Sequence, residues 1–236
     1  MSPPRVAGLV LAAGTSSRLG AGSKLLLRVG GEPVIAGPVK AVLAAGLAPV
    51  LVVLGSRAEE VRTAILEAVG EGPGGGEPPG ASGAEPPDAS GASEPGDGGG
   101  APAGALRFLV VDDPSRGQGA SLAAGVGRVA GDPSVAAIAV ILGDEPRLSA
   151  DAVRRVVGAW RPGGPALRAR YRDRPGHPVV FGRGWFEDLA ALEGDEGALR
   201  LLEERAGDVR EVETGADAPA DVDTPADYRR LAEEPG

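Results

Sequence analysis

The order of apolar runs along the chain is the feature that most limits its possible folds. Runs typical of buried strands alternate with segments of helical periodicity, strand first in each pair: 6–11 and 33–47, 50–54 and 58–69, 106–111 and 121–129, 135–142 and 150–160. A strand, a helix and a second strand in succession build a parallel sheet that is covered by helices. We therefore predict the α/β fold class, with a mostly parallel sheet and helices on both of its faces.

The last third of the chain is less regular but contains both kinds of element. We predict strands at 166–171, 179–181 and 209–213, and helices at 185–192, 197–205 and 225–234. The first two of these strands are expected to pair with each other. Ser149 is expected to cap the helix at 150–160, because a serine hydroxyl can accept from a free N–H of the first turn.

Segment 70–105 interrupts this alternation. It is rich in Gly, Pro and Ala, and it has no aromatic residue, no branched aliphatic residue and no Lys or Arg. Such a segment buries too little apolar surface to offset its chain entropy. We predict a disordered low-complexity insertion within a single domain that spans 1–236.

Composition excludes several classes of function. The formal net charge is -9, to which the insertion contributes much, and this balance argues against a nucleic-acid partner. The absence of Cys excludes a disulfide framework, a zinc-thiolate site and a catalytic thiolate. The apolar run near the N-terminus is too short to span a membrane, and no basic stretch precedes it. We expect a cytoplasmic protein with no membrane partner.

The segment after the first predicted strand has the composition of a phosphate-binding loop. In an open parallel sheet, ligands bind outside the carboxyl ends of the strands. Segment 11–27 is rich in small residues and contains Arg18 and Lys24. Backbone N–H groups of such a loop can surround phosphate oxygens, which the two cations would neutralise. The spacing is neither that of a Walker A loop nor that of a dinucleotide fingerprint. An ordinary strand–helix connection is the alternative.

Two further segments place carboxylates where a hard cation could bind. Asp144 follows the most apolar predicted strand, where it can hold Mg²⁺ or simply form a turn. Segment 220–227 contains Asp221 and Asp223 just before the last predicted helix. Asp223 or Thr224 can cap that helix, but capping does not require both aspartates. One of them therefore remains available for a metal.

These segments together resemble the nucleotidyltransferase superfamily, whose sheet is Rossmann-like and doubly wound. The matching segments are LAAGTSSRLGAGSK at 11–24, GDEP at 143–146 and DVDTPADY at 221–228. Three more narrow the resemblance to the molybdenum-cofactor cytidylyltransferases: QGASLAAG at 118–125, GHPVVF at 176–181 and GDEGA at 194–198. The resemblance covers the whole chain apart from the insertion.

The resemblance implies a reaction in which a molybdopterin phosphate attacks the α-phosphorus of an NTP and pyrophosphate leaves. It implies CTP as the favoured donor and Mg²⁺ as the cofactor, and it is compatible with a molybdoenzyme apoprotein as a partner. Such transfer depends on positioning and charge neutralisation more than on covalent chemistry.

The resemblance also implies roles for individual residues. Arg18, Lys24 and Asp144 would be catalytic, the first two by holding the triphosphate. Asp144 and Asp223 would hold Mg²⁺, with Asp221 left open as the alternative second ligand. The implied nucleotide contacts are Leu11, Ala12, Ala13, Gly14, Arg18, Lys24 and Ser121, and the implied acceptor contacts are His177 and Asp195.

The chain departs from the family pattern at several positions, and other functions remain open. Relatives often have Gln at the position of Glu145 and Arg at that of Leu199, and often two residues rather than three between Gly20 and Lys24. The acceptor could instead be a sugar phosphate or another phosphorylated small molecule. Further alternatives are a nicotinamide-dependent oxidoreductase and a non-catalytic module that delivers a cofactor. The missing dinucleotide fingerprint counts against the oxidoreductase.

Overall fold

The strands come together in a mixed sheet that is mainly parallel. The computed structural model of the chain describes residues 5–14, 23–70, 106–195 and 197–233. Their strands are β1 (Arg5–Ala12), β2 (Arg28–Val29), β3 (Glu32–Pro33), β4 (Val50–Leu54), β5 (Leu106–Val110), β6 (Val135–Leu142), β7 (Ala166–Arg170), β8 (Pro175–Gly182) and β9 (Val209–Glu213). Seven of them form one sheet in the order β5-β4-β1-β6-β8-β7-β9, and β2 pairs with β3 in a separate hairpin.

Within the seven-stranded sheet, only β8 runs against its neighbours. It pairs antiparallel with β6 and with β7, whereas the β1–β4, β1–β6, β4–β5 and β7–β9 pairs are parallel. The pairing of the strands predicted at 166–171 and 179–181 is confirmed by the β7–β8 ladder. The mostly parallel sheet confirms the predicted α/β class.

Helices cover both faces of this sheet. They are α1 (Ala36–Ala44), α2 (Ala58–Val69), α3 (Gly117–Ala130), α4 (Ala150–Ala159), α5 (Phe186–Ala190), α6 (Leu199–Glu204) and α7 (Pro225–Glu233). Alternate residues of a strand point to opposite faces, so Val10 of β1 packs in the core with α1, α2, α4 and α7. Leu9 packs in the other core, with α3, α5 and α6. The doubly wound arrangement is therefore confirmed.

Several element boundaries differ from the prediction for physical reasons. The helix predicted at 33–47 is shorter, because Gly30 and Gly31, with φ of 60° and 85°, turn the chain so that Pro33 joins the β2–β3 hairpin. Helix α1 is not interrupted at Pro38, which lies in its first turn, where backbone N–H groups have no partner within the helix. Ser149 caps α4 as predicted, since its hydroxyl accepts from Asp151 N at 3.2 Å.

The predicted insertion lies almost entirely outside the described residues. Its first residue, Gly70, is described and forms the C-cap of α2 with a φ of 79°. The disorder of 71–105, and with it the single domain over 1–236, stays a prediction. Among the described residues, no helix combines the length and the apolarity that crossing a bilayer requires.

Candidate functional site

A cleft opens at the carboxyl ends of β1 and β6, which lie side by side with Leu11 opposite Leu142. Its volume is about 390 Å³. The lining residues come from both strand ends, from the turn at Lys24, from the start of α3 and from the loop after α5: Leu11, Ala12, Ala13, Gly14, Lys24, Leu25, Pro114, Ser115, Gly117, Gln118, Ser121, Leu142, Asp144 and Asp195. This is the edge of the sheet at which the sequence predicts a ligand.

One wall of the cleft comes from the end of β1. It is formed by 11–14, where β1 ends in a small-residue segment. Two glycines let neighbouring loops approach it closely: a Cβ on Gly55 would lie 2.6 Å from Ala13 O, and one on Gly143 would lie 2.9 Å from Leu11 O. The residues that follow β4 and β6 therefore pack directly against this wall.

Lys24 joins two carboxylates at the rim of the cleft. Its Nζ lies 2.5 Å from Asp144 Oδ2 and 2.8 Å from Asp223 Oδ1. The Lys24 and Asp144 side chains are only 14% and 18% exposed, whereas that of Asp223 is 47% exposed. Burial by itself lowers the pKa of Lys24, but the charge and hydrogen bond of Asp144, together with those of Asp223, outweigh it. The net effect raises this pKa, so the ammonium stays charged.

The oxygen donors at this point suit a hard divalent cation. Asp144 Oδ1 is buried and has no hydrogen-bond partner among the described residues. Mg²⁺ is commonly held by one or two carboxylates together with substrate phosphates. The described residues contain no cluster of three or more His, Cys, Asp or Glu that could hold a metal by itself. The Asp144–Asp223 pair therefore fits a cation that a phosphate ligand helps to bind.

The local structure before α7 separates the roles of the two aspartates in 220–227. Thr224 caps α7: its hydroxyl accepts from Asp227 N at 3.2 Å, while Asp227 accepts from Thr224 N at 2.9 Å. Val222 N donates to Asp144 O at 3.0 Å, which ties the loop to the end of β6. Asp223 reaches Lys24, and Asp221 instead pairs with Arg174 at 3.1 Å.

The wall opposite the β1 end is built by α3 and the loop after α5. Gly119 N donates to Gly194 O at 2.7 Å. Gly117, with a φ of 95°, packs so tightly that a Cβ there would lie 2.4 Å from Gly194 and 2.6 Å from Asp195 Oδ1. Ser121 is buried beneath this contact, and its hydroxyl donates to Gly117 O at 3.3 Å. Asp195 and Ser121 both line the cleft, and their contacts with acceptor and nucleotide stay predictions.

The sequence analysis assigned no role to the turn residues of this wall. Pro114, Ser115, Gly117 and Gln118 all line the cleft. Asp113 organises the turn, since its carboxylate accepts from Ser115 N at 3.0 Å. The available signal was the QGAS segment, which contributed to the resemblance through Gln118 but was interpreted only at Ser121.

His177 does not line the cleft with the other predicted residues. It lies on β8, and its Nδ1 is 3.3 Å from Oε1 of Glu145. Its carbonyl accepts from Tyr171 Oη at 2.6 Å. Of the two predicted acceptor contacts, Asp195 therefore lines the cleft, whereas His177 does not and instead contacts Glu145. Arg18 lies outside the described residues, so its role stays a prediction.

Comparisons with known proteins agree with this architecture. Residues 8–209 match the MobA-like NTP transferase domain. The chain is 32% identical over 233 residues to the purine catabolism protein PucB of Bacillus subtilis (strain 168), which covers 97% of this chain and 96% of that protein. It is 29% identical over 241 residues to nicotine blue oxidoreductase of Paenarthrobacter nicotinovorans, with 97% of each covered.

Solved structures extend the likeness to the fold. The crystal structure of Rv0371c from Mycobacterium tuberculosis H37Rv is similar with a TM-score of 0.75 at 32% identity, covering 99% of this chain and 100% of that one. The structure of the same protein in complex with manganese gives a TM-score of 0.72 at 30% identity, with the same coverage. From the match over 8–209 and these relatives, we conclude that the chain belongs to the MobA-like NTP transferase domain family.

Proposed function

We propose that this chain is a metal-dependent nucleotidyltransferase that transfers a nucleoside monophosphate from an NTP, with CTP favoured, to a phosphorylated acceptor. The favoured acceptor is molybdopterin or the molybdenum cofactor. The observation that carries this proposal is the Lys24 ammonium between Asp144 and Asp223 at the rim of the cleft. A cation and paired carboxylates at one point are the groups that a triphosphate and its metal require.

In this proposal the nucleotide occupies the wall formed by 11–14 and the start of α3, near Ser121. Lys24 neutralises the triphosphate and the negative charge that develops as the α-phosphorus is attacked. An oxygen of the acceptor phosphate forms the new bond to the α-phosphorus, and the bond to the departing pyrophosphate breaks. The acceptor phosphate is already ionised near neutral pH, so this chain need not supply a general base.

Asp144 and Asp223 are the residues proposed to hold the divalent cation. The manganese bound to Rv0371c supports a cation of this kind, and we favour Mg²⁺. When bound, such an ion supplies positive charge that polarises and orients the phosphate oxygens. Lys24 lies between both carboxylates, so it would exchange its contacts with them for contacts to the triphosphate.

A nicotinamide-dependent oxidoreductase is the second candidate, since nicotine blue oxidoreductase is 29% identical over nearly the whole chain. The charged groups of the cleft are less suited to it. Segment 11–24 lacks the third glycine of a dinucleotide fingerprint, and the Lys24–Asp144 pair has no evident task in hydride transfer.

A thermal-shift panel separates the two candidates. The ligands are ATP, CTP, GTP, UTP and NADPH, each with and without Mg²⁺. A ligand at about 100 times its Kd stabilises the fold by about 2.7 kcal/mol, which a melting curve resolves. We expect Mg²⁺-dependent stabilisation by CTP, followed by pyrophosphate release when molybdopterin is added. A shift with NADPH alone would overturn the transferase and support the oxidoreductase.

The acceptor is tested by replacing molybdopterin with a sugar 1-phosphate in the pyrophosphate assay. We expect faster release with molybdopterin. If the product is a nucleotide-bound cofactor, a molybdoenzyme apoprotein is the partner that would receive it. Faster release with the sugar phosphate would keep the reaction class and change the acceptor.

A further inference from the structure

Asp144 and Glu145 are adjacent carboxylates with opposite surroundings. Asp144 lines the cleft and contacts Lys24. Glu145 does not line it: its side chain is only 7% exposed, and its Oε1 lies 3.3 Å from Nδ1 of His177. Glu145 Oε2 is also buried and has no hydrogen-bond partner within the described ranges. A buried carboxylate with a single partner therefore directly follows the proposed metal ligand in the sequence.

Stability does not explain this pair. Removing a carboxylate from water is costly, and a buried pair adds little compared with apolar residues of the same volume. What the contact does determine is the orientation of the imidazole. A carboxylate at Nδ1 keeps the hydrogen on that nitrogen and leaves Nε2, on the far edge of the ring, for another partner.

His177 is held at its backbone as well. Tyr171 Oη donates to its carbonyl at 2.6 Å, and Tyr171 itself is almost fully buried. The His177 side chain nevertheless remains 26% exposed. An imidazole that is fixed at one nitrogen and at its own carbonyl, yet partly open to solvent, is suited to contact a ligand at its free edge.

The position of the pair indicates which ligand this is. The proposed nucleotide wall at 11–14 and Asp144 both line the cleft, whereas Glu145 and His177 do not line it and contact each other next to Asp144 in the chain. An acceptor that attacks the α-phosphorus must approach Asp144 from a side that the nucleotide does not fill. We propose that Glu145 is a positioning residue that holds His177 so that its Nε2 contacts the phosphorylated acceptor. This inference rests on the proposed function.

Steady-state kinetics with CTP and molybdopterin test this inference. We expect His177→Ala to raise KM for molybdopterin about 10-fold, with KM for CTP and kcat little changed, because one polar contact to the acceptor is lost. Glu145→Leu fills the same buried volume without the carboxylate and should give the same pattern. Glu145→Gln keeps an oxygen that can accept from Nδ1 and should recover most of the loss.

A double variant separates positioning from a merely structural role. If Glu145 acts only through His177, the Glu145→Leu/His177→Ala protein should be no worse than His177→Ala alone. Asp132→Asn is the matched control, since it removes a carboxylate that pairs with Arg5 at the end of β1 opposite the cleft. Additive losses in the double variant, or a higher KM for CTP in Glu145→Leu, would overturn the inference.

A spectroscopic test uses the fact that His177 is the only histidine of the chain. Selective ¹⁵N-histidine labelling therefore gives one pair of imidazole signals. We expect Mg²⁺–CTP alone to leave the Nε2 signal in place and molybdopterin to move it, and we expect Glu145→Leu to change the Nδ1 signal without ligand. A signal that CTP moves and molybdopterin does not would overturn the assignment.

The two levels of the proposal fail differently. If the wild-type protein releases pyrophosphate from CTP and molybdopterin while the His177 signal and KM stay unchanged, only the positioning inference is wrong. If no combination of an NTP and a phosphorylated acceptor makes the wild-type protein release pyrophosphate, the proposed function is wrong. The positioning inference is then wrong as well.

Discussion

Asp144 and Glu145 follow one another at the end of β6, yet they belong to two different regions. Asp144 shares the ammonium of Lys24 with the half-exposed Asp223, at a cleft that is open to a ligand. Glu145 is buried and shares one oxygen with His177. Both residues lie in the turn after β6, and a single peptide unit there separates a residue that lines the cleft from one that is buried.

The two carboxylates also differ in the group that pairs with each of them. Lys24 carries its charge on a flexible stem, so its ammonium can leave the carboxylates to a metal and contact a triphosphate instead. The imidazole of His177 is held in place by its own strand and by Tyr171. The Asp144 region is therefore suited to binding a metal and a triphosphate. The Glu145 region is suited to binding an acceptor through a hydrogen bond from a fixed imidazole. Four predictions test this division.

The largest expected effect comes from Asp144→Asn. It removes the charge of the proposed metal ligand, and we expect kcat to fall about 10³-fold. Pyrophosphate release measures the loss, and circular dichroism verifies that the variant is folded. Asp132→Asn, which alters an ion pair with Arg5 at the end of β1 opposite the cleft, should stay within about 2-fold of the wild type. Retained turnover in Asp144→Asn would remove Asp144 from the metal site.

Lys24→Met tests whether the Lys24 ammonium occupies the place at Asp144 and Asp223 that a metal ion would take. We expect turnover to fall about 10²-fold. In the absence of nucleotide, Mn²⁺ should bind more tightly, because the carboxylates no longer have a competing cation. Electron paramagnetic resonance of free Mn²⁺ measures this affinity. Lys40→Met is the control, since Lys40 pairs with Glu32 on the surface. Weaker Mn²⁺ binding in Lys24→Met would contradict the exchange.

Gly117→Ala disturbs the wall of the cleft without touching the Glu145 region. The new Cβ would meet the Gly194 backbone at 2.4 Å, at a φ of 95°. We expect a loss of about 2 kcal/mol in unfolding free energy and weaker binding of CTP. Gly127→Ala, on an open part of the same helix, should instead add about 0.5–1 kcal/mol. Urea unfolding compares the two, and equal effects would refute the packing argument.

The smallest expected effect is the pH dependence of Glu145→Gln. Burial raises the pKa of Glu145, and the contact with His177 only partly opposes this. A carboxyl whose pKa is raised in the folded state destabilises the fold as the pH rises through that value, and it has no such effect below its unfolded pKa of about 4.3. Glu145→Gln should therefore be more stable than the wild type at pH 7, and the gain should vanish at acidic pH. Melting curves across this range measure it.

Local sequence patterns predicted the strands and helices whose apolar residues recur at the spacing of that element. The bounds of β4, α2, β6 and β9 are those expected from the sequence, because strand runs and helical spacing reflect burial within a few residues. The start of α3 at Gly117 could not be predicted, since glycine is a poor helix former. That turn is instead held by the hydrogen bond from Gly119 to Gly194.

Lys24 and Asp144 were found as charged residues in loops that follow predicted strands, and most other candidates were found through the family resemblance. Their contacts were not. Lys24 meets Asp144 across 120 residues and Asp223 across 199, and His177 meets Glu145 across 32. The sequence also left open which of Asp221 and Asp223 lies at Lys24. In the structure Asp223 contacts Lys24, and Asp221 pairs with Arg174.

Residue types and periodicity thus sufficed for the fold class and for the edge of the sheet at which the cleft opens, while the family resemblance supplied many of the candidate groups. Strand order and register were needed to learn which of those groups meet. β8 beside β6 brings His177 to Glu145, and the loop before α7 brings Asp223 to Lys24. The physical reason is range: burial periodicity acts over a few residues, whereas ion pairs form between residues that only the assembled sheet brings together.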